Sequence, residues 1–140
     1  MNNRLYFLMS KAENAMSVYI KQEFTKAGLK VTPAQLGILF LLKSKNGRSM
    51  TELSRELGTD NSAVTRAVDR LEKSGLVNRN GSDSDRREYS IVITRTGLGE
   101  TESAKRVIAA INKKIESEIP ASELDSFKNT LVKLESIFKP

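Results

Sequence analysis

Four arginines near the middle of the chain have the types and spacing to do chemistry: Arg66 and Arg70, four residues apart, and the adjacent Arg86 and Arg87. A guanidinium presents five N–H donors in a rigid fork and stays charged at physiological pH. It can grip a phosphate or pair with the O6 and N7 acceptors of guanine. Asn61, Ser62 and Thr65 stand just ahead of Arg66. The Ser62 and Thr65 hydroxyls can bond a base edge or a phosphate with less selectivity. Other chemistries are missing. The sequence has no Cys and no His, which removes disulfides, thiolate nucleophiles, thiol redox sensing and most transition-metal sites. The commonest general acid and base at neutral pH is removed with them. Glu52, Glu56 and Asp69 have no nucleophile–base pair, phosphate-cradling glycine loop or metal-ligand cluster beside them. The expectation is a binding protein and not an enzyme, without catalytic residue, metal or cofactor.

A plainer reading stands beside this one. Arg66 and Arg70 can be solvated charges on a helix face, paired with Asp69 or Glu72 at short helical spacing for a few tenths of a kcal/mol. Lys73 and Arg79 can be phosphate contacts or simple solubility charges. Tyr6, Phe7, Tyr19 and Phe24 fit core or interface positions better than a ligand box.

The elements that must position these groups follow from apolar spacing and punctuation. Leu5, Leu8, Met9, Ala12, Met16, Tyr19, Ile20 and Phe24 recur every three or four residues, which predicts an opening helix stopped by Gly28. Thr32-Pro33-Ala34-Gln35 supplies an N-cap, a proline at the first helical position and a capping-box glutamine. The helix behind it is apolar nearly all round, from Leu36 to Leu42, so central burial is expected, with an end near Asn46-Gly47. Ser49-x-x-Glu52 opens a short helix that turns Leu53 and Leu57 inward and ends at Gly58. Asp60 caps the next, which points Val64, Val68 and Leu71 inward. Asn61, Ser62, Thr65, Arg66 and Arg70 are then its outward set. Gly75 stands where a left-handed terminating residue is needed, with Leu76 packing back on Leu71.

Residues 76–79 and 88–93 read as two strands, joined by the turn formers of 80–85 in an exposed hairpin. Thr94 caps a helix with Val107, Ile108, Ile111 and Ile115 on one face. Pro120 breaks it, and Leu124, Phe127, Leu131, Leu134 and Phe138 stripe a last helix.

The formal charge of +6 is unevenly spread over the 140 residues. Residues 98–140 carry seven Lys/Arg against seven acids, so the excess lies in the first two thirds. A basic excess favours a polyanionic partner, and a balanced, apolar-striped tail is a packing element. The longest apolar run, Leu36 to Leu42, is far too short to span a bilayer. Without a signal-peptide pattern at the N-terminus, the expectation is a soluble cytoplasmic protein with no membrane partner.

Two helices joined by a tight turn, then a hairpin with a basic tip, is the layout of a winged helix-turn-helix, which reads duplex DNA. Val64-Thr65-Arg66, Val68-Asp69-Arg70-Leu71-Glu72, Gly75-Leu76-Val77, Asp85-x-Arg87 and Ile93-Thr94-x-x-Gly97 follow one another over residues 64–97. In this order the chain resembles the MarR (multiple antibiotic resistance regulator) family of winged-helix transcription factors, and the helix order along all 140 residues fits. One departure is Ser84 after Asp83, where many members have proline.

The resemblance implies a mainly α fold with a small β-wing. It implies a single domain over 1–140, with a winged helix-turn-helix at 32–97 flanked by dimerisation helices at 1–31 and 98–140. It also implies that Arg87 enters the minor groove, that Asp85 orients its guanidinium, and that Arg86 is left for a phosphate. A lone winged helix reads few bases, and packing the end helices against those of a second copy would bury their apolar stripes, so a homodimer is expected; the alternative is a monomer whose terminal helices cover its own core. The implied function is a sequence-specific, ligand-responsive repressor on pseudo-palindromic promoter sites in double-stranded DNA. A small anionic or phenolic effector would bind between the dimerisation helices and the reader. The competing class is a winged-helix protein–protein interaction module without DNA specificity.

Overall fold

Helix boundaries fall where the sequence supplies partners for the backbone groups that a helix end leaves unbonded. The computed structural model describes residues 4–82 and 85–139, with the side chains of residues 82–88 outside the described set. In chain order the elements are α1 (Leu5–Lys26), α2 (Pro33–Ser44), α3 (Met50–Leu57), α4 (Asn61–Lys73), β1 (Val77–Ser82), β2 (Asp85–Ile93), α5 (Arg95–Glu118) and α6 (Ala121–Phe138). Ser49 Oγ accepts the Glu52 N–H at 3.1 Å to start α3, and Asp60 Oδ1 accepts the Ala63 N–H at 2.7 Å to start α4. At α2 the Gln35 Oε1 accepts the Thr32 N–H at 3.2 Å.

The end of α4 follows the expected left-handed stop. Gly75 has φ +77°. The Leu76 N–H then reaches the Leu71 carbonyl at 2.9 Å and the Gly75 N–H reaches Glu72 at 3.0 Å, which is the double closure of a Schellman turn.

The chain divides into two compact units, Met1–Val107 and Ile108–Pro140. In the first, Phe24, Leu36, Ile38, Leu39, Leu42, Leu53, Val64, Val68, Leu71, Leu76, Val77 and Ile91 are buried. The inward assignments on α3 and α4 are thereby met, with Leu57 only half-buried. Helix α2 differs from expectation: Phe40 is 38% exposed, so its apolar surface is not covered all round. Lys43 near its end pairs with Glu102 of α5. The Lys43 pKa lies below its ordinary value, first through a side-chain hydrogen bond with Lys105 and second through desolvation by burial.

The hairpin is longer than its side chains predicted. Val77 faces Ile93, Asn78 faces Val92, Arg79 faces Ile91 and Asn80 faces Ser90; after a shift in register Ser82 faces Asp85. Strand pairing thus runs through turn formers that the sequence reading placed in the loop. The ladder satisfies backbone groups whatever the side chain, and an exposed two-stranded ribbon tolerates Asn and Gly. The Tyr89 ring covers Gly81, where a Cβ would lie 3.2 Å from Cε1. A further pairing was not foreseen: Ile91 N–H donates to the Arg48 carbonyl at 2.8 Å, and Gly47 N–H to the Ile91 carbonyl at 3.1 Å. This bridge ties the hairpin base to the segment before α3.

Helix α5 starts in close contact with the end of α4. Thr94 N–H donates to the Leu76 carbonyl at 3.0 Å. The Thr94 hydroxyl donates to the Gly75 carbonyl at 2.7 Å and accepts the Gly97 N–H at 3.0 Å. A Cβ on Gly97 would stand 2.2 Å from the Leu76 carbonyl oxygen and 2.8 Å from Ile93 Cγ1. Only a residue without a side chain fits there.

In the second unit Ile111 and Leu124 are buried, and Ile108, Ile115 and Leu134 are half-buried. Phe127, Leu131, Val132, Ile137 and Phe138 are exposed, so most of the α6 stripe is uncovered in a single copy. Helix α1, in the first unit, exposes Leu5, Tyr6, Phe7, Leu8, Met16 and Val18. Of the four aromatic residues assigned to core or interface, only Phe24 is core; Tyr6, Phe7 and Tyr19 are exposed. Among the described residues no helix is long and apolar enough to cross a membrane.

Gly97→Ala is expected to destabilise the protein by about 1–3 kcal/mol through overpacking against backbone. Gly99→Ala, where nothing lies within 4 Å of a new Cβ, is expected to be neutral or to stabilise α5 by up to about 1 kcal/mol. Urea unfolding of the two variants checks the contrast; equal midpoints would show that the α4–α5 joint accommodates a methyl group.

Candidate nucleic-acid interface

The polar face of α4 is built by what the helix buries. Val64, Val68 and Leu71 are 2%, 0% and 0% exposed, which turns the intervening residues outward by helical geometry. Asn61, Ser62, Thr65, Arg66 and Arg70 are all exposed. The Thr65 hydroxyl donates to the Asn61 carbonyl at 2.8 Å, so its oxygen faces a partner as an acceptor. The Asp60 cap leaves other N–H groups of the first turn free, and these carry the positive end of the helix dipole.

The five residues do not all border the same groove. Arg66 and Arg70 line a groove of ≈ 320 Å³ between α2 and α4, with Gln35, Ile38 and Ala63 among its other walls. Asn61, Ser62 and Thr65 are not among its lining residues. Arg66 and Arg70 also lack the acid partners that a solvated-face reading requires: among the described residues neither makes an ion pair. The acids it would use are engaged elsewhere. Asp69 Oδ1 accepts from Arg79 Nη2, and Glu72 Oε2 accepts the Arg79 backbone N–H at 3.3 Å. Arg79 is therefore ion-paired within the fold and is not a free solubility charge. No helical periodicity signals this, because residues 69 and 79 meet only through the hairpin.

Asp85, Arg86 and Arg87 open β2, with Asp85 paired to Ser82 beside the hairpin tip. Their side chains lie outside the described residues. A second cleft, of ≈ 470 Å³, lies between the start of α3 (Ser49, Met50, Thr51, Glu52) and Tyr89 and Ser90 of β2. No group of three or more metal-ligating side chains occurs among the described residues.

Since Asp60 fixes the first turn of α4, Asp60→Ala is expected to lower stability by about 1 kcal/mol. Hydrogen exchange should speed up first at the N–H groups of residues 61–64. Uniform protection along α4 would mean that the cap does not hold this end.

Comparison with known proteins agrees with this geometry. Residues 31–89 match the model of the MarR family. The chain is 29% identical to a putative transcriptional regulatory protein for the hcr operon of Thauera aromatica, over 74% of this chain and 60% of the relative. It therefore spans about three fifths of that relative's length. Its fold is similar to the transcriptional repressor CouR bound to a 23-mer DNA duplex, with a TM-score of 0.82 and 25% identity, covering 93% of this chain and 91% of the other. CouR from Rhodococcus jostii RHA1 bound to p-coumaroyl-CoA is also similar, with a TM-score of 0.77 and 25% identity, covering 99% and 94%. A capped helix pair, a buried α4 face and a paired hairpin make this a winged helix-turn-helix chain, and its residues 31–89 are similar to the MarR family.

Proposed function

We propose that two copies of this chain bind a pseudo-palindromic site in duplex DNA and regulate transcription as a ligand-responsive repressor. The observation that carries the proposal is the outward face of α4, whose two arginines have no acid partner among the described residues. Unpaired guanidiniums beside a capped helix N-terminus suit a polyanion that a helix can enter by its major groove. In this reading Arg66 contacts guanine or a phosphate, and Asn61, Ser62, Thr65 and Arg70 complete the contact surface. The wing works on the second groove: Arg87 enters the minor groove, Asp85 orients it, and Arg86 holds a phosphate. A narrow A·T-rich groove strengthens the Arg87 contact through its negative potential.

The pairing of two copies runs through the segments 1–31 and 98–140. Support comes from the apolar residues that one copy leaves uncovered, on α1 and separately on α6. Such surfaces are unusual on a monomer, and two-fold symmetry places two readers about one helical turn apart. The effector is a small anionic or phenolic molecule. It acts by favouring a reader spacing that misses successive grooves. The p-coumaroyl-CoA-bound CouR structure supports this class of ligand. With no Cys in the sequence, thiol oxidation is not the signal. The proposed protein works in the cytoplasm and catalyses no reaction.

Titration against random and selected duplexes at several salt concentrations tests the core of the proposal. Binding should weaken linearly in log–log form, with a slope of about −0.9 for each phosphate contact. No binding to any duplex at low salt would instead favour the protein–protein module. Arg87→Ala should weaken selected-site binding more than tenfold and leave the assembly intact; unchanged affinity removes the minor-groove assignment. Arg66→Ala should relax preference at defined base pairs by about 1–3 kcal/mol if it reads a base, and weaken all sequences alike if it holds a phosphate. Replacing Ile137 and Phe138 by serine should shift the sedimentation-equilibrium mass toward one copy, and an unchanged mass rules out α6 as the pairing surface.

A further inference from the structure

We infer that Arg79 is a positioning residue of the reader. It holds the acids of α4 away from the helix's own cations and so leaves those cations available to a polyanion. The inference rests on the DNA-binding reading above.

Arg79 occupies an inward position of β1. Val77 is buried, Asn78 and Asn80 are exposed, and the Arg79 side chain between them is only 24% exposed. Strand alternation asks for an apolar residue at such a site, yet the position holds a guanidinium whose Nε is buried without a partner. An unsatisfied buried donor works against stability, and a partly buried ion pair adds little to it. Fold stability alone therefore does not account for arginine here.

The charge pattern of α4 does. The helix contains two acids, Asp69 and Glu72, and three cations, Arg66, Arg70 and Lys73. Asp69 is three residues after Arg66 and four before Lys73, the spacings at which helical charges pair. Left alone, its carboxylate competes with a phosphate or base for those cations. Arg79 engages both acids, Asp69 through Nη2 and Glu72 through its main-chain N–H. Among the described residues none of the three cations makes an ion pair. The hairpin thus supplies the counter-charge that α4 needs, and the helix keeps its own charge for the groove.

The test compares Arg79→Met, Asp69→Asn and the double variant with the full-length protein. Each is titrated at several salt concentrations with one duplex that the wild type selects from a random pool. Methionine keeps length and apolar volume but frees Asp69, while the backbone N–H still holds Glu72. Arg79→Met is expected to weaken binding at least tenfold at low salt. Its log–log salt slope should be shallower by about one unit per reader, the change expected when one phosphate is no longer neutralised. Adding Asp69→Asn should restore the slope and most of the affinity, because the competing carboxylate has gone. A merely structural arginine would not show that rescue, and neither would one that touches the duplex itself. If Arg79→Met keeps the wild-type slope, or if the double variant stays as weak as the single one, the inference is overturned. Arg79→Leu, which likewise leaves Asp69 without a side-chain donor, is read in the same way should the methionine variant not fold. Failure of the wild type to bind any duplex overturns the functional proposal, and is a different result from an unaltered variant.

Discussion

The arrangement of the reader depends on one close approach, at the point where α4 ends and α5 begins. Four peptide groups and one hydroxyl meet there. The Leu76 carbonyl takes the Thr94 N–H, the Gly75 carbonyl takes the Thr94 hydroxyl, and Gly97 brings helix backbone against the Leu76 carbonyl with no room for a Cβ. The chain leaves this point as β1 and returns to it as the last residue of β2, where Val77 and Ile93 face one another. The end of α4, the hairpin base and the start of α5 therefore share one set of hydrogen bonds. Because α5 is a single helix from Arg95 to Glu118, its first turn cannot shift without disturbing the end of α4.

The same joint explains why the wing can be short and still be well placed. A two-stranded hairpin is at best marginally stable in water by itself. Here its base is held on two sides, by Thr94 and Gly97 on one and by the Arg48–Ile91 bridge on the other. Asn46 Oδ1 adds a third tie by accepting the Ile93 N–H at 2.9 Å. Arg48 also bonds the Leu41 and Lys45 carbonyls through Nε, at 3.0 and 3.2 Å, closing the end of α2. One residue thus fastens the hairpin to the helix that lies behind the reader, and the tip can carry basic residues without having to stabilise itself.

Much of this was legible in the sequence because its signals are local. Caps such as Ser49 and Asp60, the stop at Gly75 and the inward set Val64, Val68 and Leu71 are decided within one or two helical turns. Gly97 was visible as part of a motif, but its reason was not, since the carbonyl it must admit belongs to Leu76, twenty-one residues earlier. The hairpin length was misjudged for a related reason. Composition marks Asn80, Gly81 and Ser82 as turn formers, whereas the pairing partner across the ladder decides whether they extend. The Arg48–Ile91 bridge and the Asp69–Arg79 pair span long stretches of chain and leave no periodic trace. For the candidate site, the outward set on α4 followed from the buried set. Which of its charges were free did not, because that depends on where the acids find partners.

That last point bears on how a chain with a modest positive charge can present unpaired cations on one helix face. The middle segment, residues 43–97, carries eleven Lys/Arg and eight acids, so net charge alone predicts a weak field. The placement of the acids changes this. Asp60 is turned onto the Ala63 N–H, Glu52 lies with Ser49 at the start of α3, and Asp69 and Glu72 are held by Arg79. Glu100, from the next helix, is taken up by the Lys30 and Val31 N–H groups at 2.8 to 3.1 Å. Each of these carboxylates is given a backbone or side-chain donor within the fold, while Arg66 and Arg70 are given no acid among the described residues. Coulomb attraction falls with distance and with solvent screening. In the proposed function the charge that decides binding is the unpaired charge within a few ångströms of the partner, and the fold sets it by partnering Asp60, Asp69 and Glu72 and leaving Arg66 and Arg70 without an acid among the described residues.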